Sequence, residues 1–158
     1  MRLAPYSRDP LLPLSTLMAA ASQRVSPVAI NVRDVCQIAT LVERCLGDTA
    51  LAARLWKRFD ERLAGSVAQI ETALADDDRA CAQKRVHSLK GEAASLAALR
   101  LQQAAAELEG YLKSERDDAD SDIARSFLAL RTAAERCREC VPSILEALAA
   151  STATAEDV

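Results

Sequence analysis

The chain is poor in aromatic residues, which make up 3% of its 158 positions, and it has four glycines and one histidine. Its apolar half is mostly Ala and Leu. Such a composition points to helices packed on helices rather than to sheets. No apolar run reaches the roughly 18 residues of a membrane span, so membrane insertion is not expected. Charge of one sign is also missing: a net charge of -3 and a pI near 5.3, with Lys and Arg scattered among acids, argue against a nucleic-acid partner. Five cysteines at irregular spacing (Cys36, Cys45, Cys81, Cys137, Cys140) do not make a disulfide framework and fit a reducing, cytoplasmic setting. Cys137 and Cys140 form a lone CxxC without a second pair or a second histidine, so no metal site is expected.

Proline is unevenly spread: four of the five fall within the first 27 residues. Residues 1–30 are therefore expected to be a flexible lead-in. Residues 11–22 (LLPLSTLMAAAS) imitate a secretory signal, with Arg2 ahead, but Asp9 and Pro10 precede the apolar stretch and Pro13 interrupts it. The domain proper is expected over 31–150, and the small and acidic residues of 151–158 should fray.

Within the domain, helical signals follow one another. Val35, Ile38, Val42 and Cys45 make a short amphipathic helix stopping at Gly47, and Asp48 can cap the next, with Leu55, Phe59, Leu63, Ile70 and Leu74 inward. Asp76, Asp77 and Asp78 supply a turn and a cap for a third helix with Ala82, Val86, Leu89, Ala93 and Leu96 inward. After a break near Ala97, the same rhythm returns at Ala98, Leu101, Ala105, Leu108 and Leu112. It resumes at Ile123, Phe127, Leu130, Ala134, Cys137, Val141, Ile144 and Leu148, where Pro142 must kink or break the helix. Steps of four and three on consecutive helices suit one common seam. The fold expected is all-α: an antiparallel four-helix bundle with a short additional N-terminal helix, monomeric.

The single imidazole stands in RVHSLKGEAASL, residues 85–96. On a helical wheel His87 points roughly 140° away from the inward direction of its helix, which disfavours a core histidine. An ordinary exposed histidine is the bland alternative, and the neighbours speak against it. Gln83 lies one turn before, Lys90 three residues after, Gly91 four after and Ala94 seven after. Glycine in mid-helix costs about 1 kcal/mol relative to alanine. Here it opens the surface beside the ring, and Ala94 extends the clearing. Lys90 places a cation where a negative group on that ring would sit, with Lys84 and Arg85 adding positive potential. Such a group suits a nucleophilic imidazole that carries a phosphoryl group.

The stretch VHSLKGEAASLAALRLQQAAAELE, residues 86–109, resembles the histidine-containing phosphotransfer (HPt) domain family at His87, Leu89, Lys90, Gly91, Leu96, Ala97, Ala98, Leu101, Leu108 and Glu109. Residues 46–59 (LGDTALAARLWKRF) look like the family's Gly-Asp helix start and the apolar-aromatic run after it. The resemblance implies that His87 accepts a phosphoryl group from a receiver-domain aspartate and passes it to another, with Lys90 assisting electrostatically. It implies access for the partner at Gly91, to which the wheel adds Gln83, Lys84 and Ala94 as docking residues, and partners among the receiver domains of response regulators or hybrid histidine kinases. It implies no cofactor on this chain, Mg²⁺ being held by the partner's acidic pocket. Ala97 stands where the family usually has Gly, and Val86 where Ala is common. An autokinase is not expected, given the length and the lack of a Gly-rich nucleotide loop, nor a Ser or Cys hydrolase, which needs an orienting third group and an oxyanion site, the wheel placing no cysteine beside His87. Two alternatives stay open: a docking module for receiver domains that carries no phosphate, and the phosphotransfer domain of a chemotaxis-type kinase.

Overall fold

A computed structural model of the chain describes residues 31–114 and 120–153. The lead-in expected over 1–30 and the last five residues lie outside them. Among the described residues seven helices follow in order: α1 (Val32–Val35), α2 (Ile38–Arg44), α3 (Thr49–Ala75), α4 (Arg79–Ser95), α5 (Leu99–Lys113), α6 (Asp120–Glu139) and α7 (Val141–Ala153). The two expected caps start α3 and α4. Asp48 accepts from the Leu51 N–H at 2.7 Å, and Asp78 from the Cys81 N–H at 2.9 Å, each satisfying a donor that the first helical turn leaves free.

α3, α4, α5 and α6 form the four-helix bundle, and α7 continues α6 along the first part of α3. Cross-links between helices mark their register. Arg62 pairs with Glu92 at 3.2 Å and Arg85 donates to Gln69 between α3 and α4; Arg79 meets Asp120 at 2.7 Å, and Arg138 meets Asp60 at 3.6 Å. All five apolar positions read on α4, and all five on α5, are buried in one core. On α3 the seam is rotated from the expected one: Ala52, Trp56, Phe59, Leu63, Val67, Ile70 and Ala73 are buried, Leu55 is exposed and Leu74 half-buried. Trp56 and Phe59 pack with ring centroids 5.8 Å apart and planes tilted by 58°, a favourable aromatic geometry.

The expected single N-terminal helix is two. Between α1 and α2, Cys36 and Gln37 are extended and bound to the α4–α5 turn, where Cys36 Sγ donates to the Leu96 carbonyl at 3.5 Å and the Gln37 N–H to the Ala97 carbonyl at 3.1 Å. With its N–H spent on Ala97, Gln37 cannot bond back to the preceding turn of α1. At Pro142 the last helix breaks and restarts, α6 ending at Glu139 and α7 beginning at Val141, since proline has no N–H for the ladder. α7 runs to Ala153, three residues into the segment read as a fraying tail.

Three connections use the left-handed backbone region at non-glycine residues: Leu46 (φ 56°), Asp77 (φ 55°) and Ala97 (φ 55°). At Ala97 the Ala98 N–H reaches back to the Ala93 carbonyl at 2.9 Å and the Ala97 N–H to the Ala94 carbonyl at 3.1 Å. This double bond pattern closes α4 and reverses the chain tightly into α5. Position 97 therefore has a stated reason to favour glycine, and alanine bears the strain.

Candidate functional site

The hairpin that turns at Ala97 sets α4 antiparallel to α5, so residues roughly equidistant from the turn face each other across the pair. His87 on α4 and Glu109 on α5 do so. His87 Nδ1 lies 2.9 Å from Glu109 Oε1, Lys90 Nζ contacts Glu109 Oε2, and Lys113 Nζ sits 2.7 Å from Oε1. The Glu109 side chain is only 5% exposed, whereas that of His87 is 69% exposed. The carboxylate is thus roofed by the ring and two ammonium groups.

Its proton affinity follows from that roof. Hydrogen bonds from Lys113, Lys90 and His87 hold the Glu109 carboxyl at about 2, below the ordinary 4.5, outweighing the opposing effect of burial. An ionised carboxylate can only accept hydrogen bonds, so the neutral ring facing it must carry its proton on Nδ1. The lone pair is then on Nε2, the nitrogen turned from the carboxylate. The site presents an exposed imidazole with Nε2 turned from the carboxylate and two cations close by.

The other expected site residues fall around this ring. Gly91 is exposed, and a Cβ added to it would meet no atom within 4 Å, so the surface there is open. Lys84 is exposed and Gln83 half-buried. Ala94 is half-buried, and the Arg44 guanidinium of α2 donates to its carbonyl, so the clearing along α4 ends at Arg44. Lys90, expected as a cation for a negative group on the ring, is held on Glu109.

Sequence reasoning missed two members, Glu109 as the ring's partner and Lys113 as that carboxylate's second cation. Their signal was present: an acid four residues after Ala105, at the margin of an apolar seam, with a lysine four residues further on. Away from this site, burial pushes the Cys36 and Cys137 thiols up to about 12 and raises that of Cys140. These thiols are poor nucleophiles. All five cysteines are free, and among the described residues no three His, Cys, Asp or Glu side chains gather to hold a metal ion. No described helix is long and apolar enough to cross a membrane.

The family model of the Hpt domain matches residues 54–151, well over half of the chain and including the whole His87 site. The chain belongs to the Hpt domain family. It is accordingly a phosphotransfer module of two-component systems, a class whose members interact with receiver domains. Among solved structures it is similar to the HPT domain of an Hpt sensor hybrid histidine kinase from Shewanella. The two share 22% identity and a TM-score of 0.60, over 70% of this chain and 93% of the other. That likeness shows the same helical fold. No curated protein matches the chain.

Proposed function

We propose that His87 is the phosphoacceptor of this Hpt domain, taking a phosphoryl group from the aspartyl phosphate of one receiver domain and passing it to the aspartate of another. The observation that carries the reading is the bond from His87 Nδ1 to the ionised Glu109, 2.9 Å long, which leaves Nε2 as the outward nucleophile. In the step, the Nε2 lone pair forms a bond to phosphorus while the P–O bond to the donor aspartate breaks, its electrons leaving on that carboxylate. The Nδ1 proton stays in its hydrogen bond to Glu109. The ring gains positive charge as Nε2 gives up its lone pair, and the adjacent carboxylate stabilises that charge where it develops. Lys90 supplies a cation for the phosphoryl oxygens, and Gly91 lets the receiver's backbone come close. Mg²⁺ belongs to the receiver. Because the transfer needs no proton moved onto or off the ring, it can run in either direction.

The test is to incubate the chain with phosphorylated receiver domains and Mg²⁺ and to look for acid-labile, base-stable label. Label on the wild type and none on His87→Gln is expected. Equal labelling of the two across several receivers would overturn the assignment and leave a docking module that carries no phosphate.

A further inference from the structure

The Glu109 carboxylate divides its partners unevenly. Oε1 accepts both His87 Nδ1 at 2.9 Å and Lys113 Nζ at 2.7 Å, while Lys90 Nζ is on Oε2. Lys90 is three residues from His87 on α4, so it is the cation within reach of a group attached to the ring. In turning to phosphoryl oxygens it loosens its hold on Oε2, its three N–H donors being then divided between two acceptors. Lys113 is on α5, four residues after Glu109, an arrangement in which the glutamate precedes the lysine and the pair is favoured on its own helix. Its bond to the carboxylate is made within α5.

We propose that Lys113 is a positioning residue of the phosphoryl site: it holds Glu109 in place and neutralised when Lys90 turns from that carboxylate to a phosphoryl group on His87. The inference rests on the reading of His87 as phosphoacceptor. Three observations support it. Releasing Lys90 empties Oε2 alone, so the oxygen that orients the ring is undisturbed. A carboxylate with a side chain 5% exposed is costly to leave without a cation, and Lys113 is the one that remains. Two ammonium groups against one carboxylate also give the site a spare positive charge before the dianionic phosphoryl group arrives, which a single lysine would not provide. Lys113 itself is 54% exposed, so replacing it should leave the bundle folded.

The experiment uses the full chain and phosphoramidate, a small donor whose P–N bond breaks with loss of ammonia, so that receiver docking plays no part. Lys113→Met is expected to slow His87-dependent labelling about tenfold, and Lys113→Arg to restore it to within about threefold. In a Glu109→Gln background Lys113→Met should add no further loss, because it acts through that carboxylate. Equal rates for wild type and Lys113→Met, or a full further loss in the Glu109→Gln background, would overturn the proposal while His87-dependent labelling of the wild type upholds the phosphoacceptor. Absence of label from the wild type, with this donor and with phosphorylated receivers, would remove both.

Discussion

Replacing Glu109 by Gln keeps the side chain's shape and one acceptor oxygen but removes the charge that Lys113, Lys90 and His87 share. The displacement of its carboxyl from 4.5 to about 2 corresponds at most to roughly 3 kcal/mol of folding free energy, at about 1.4 kcal/mol per unit. Water reaches both lysines, with side-chain exposures of 54% and 30%. Screening therefore brings the expected loss to about 1 kcal/mol at pH 7. The sign is fixed by linkage. The folded group is the stronger acid, so as pH falls the unfolded chain takes up the proton first, and the stabilisation present above 4.5 is lost on the way down to about 2. Urea unfolding followed by circular dichroism at pH 7, 4 and 2.5 measures it, with the difference between wild type and variant cancelling the other carboxylates. The gap should be about 1 kcal/mol at pH 7 and shrink toward zero near pH 2. A gap of constant size across this range, or none at pH 7, would refute the electrostatic account of the site.

Two further substitutions separate docking and backbone strain from the chemistry. Gly91→Gln fills space that is open in the free protein, so it should raise helix stability by about 0.5–1 kcal/mol and yet abolish labelling by phosphorylated receivers; thermal melts and the labelling assay report the two effects. Leu46→Asn relieves a left-handed backbone at a residue 96% exposed, and should stabilise the fold by about 1 kcal/mol without changing labelling, as read from the urea midpoint.

What the sequence made legible is periodic or local. The inward faces of α4 and α5 could be read residue by residue because their apolar positions keep one phase over 17 and 15 residues. The caps Asp48 and Asp78 and the break at Pro142 depend on neighbours only. α3 was read out of phase because its 27 residues offer leucines on more than one side, and Trp56 and Val67, not Leu55 and Leu74, lie on the core line. The extended Cys36 and Gln37 could not be foreseen, since the groups that hold them, the carbonyls of Leu96 and Ala97, are about 60 residues away. His87 and Gly91 were legible as an outward-facing ring with space beside it. Glu109 was legible only as a family position. Its partnership with a residue 22 positions earlier depends on how α5 is rotated against α4, which neither helix encodes alone.

The length of α3 has a consequence for the molecule as a mechanical object. At 27 residues it is about 40 Å long, and it is a shaft common to two storeys. One storey is formed with α4 and α6, tied to it at Arg62 and Asp60; the other is formed with α2 and α7. One extra residue near Asp60 would turn one storey against the other by about 100° and pull the α1–α2 connection off the turn at Ala97. The spacing along this shaft is consequently less free to drift than the identity of its surface residues, and the tilt at which α4 presents its ring is set from both ends.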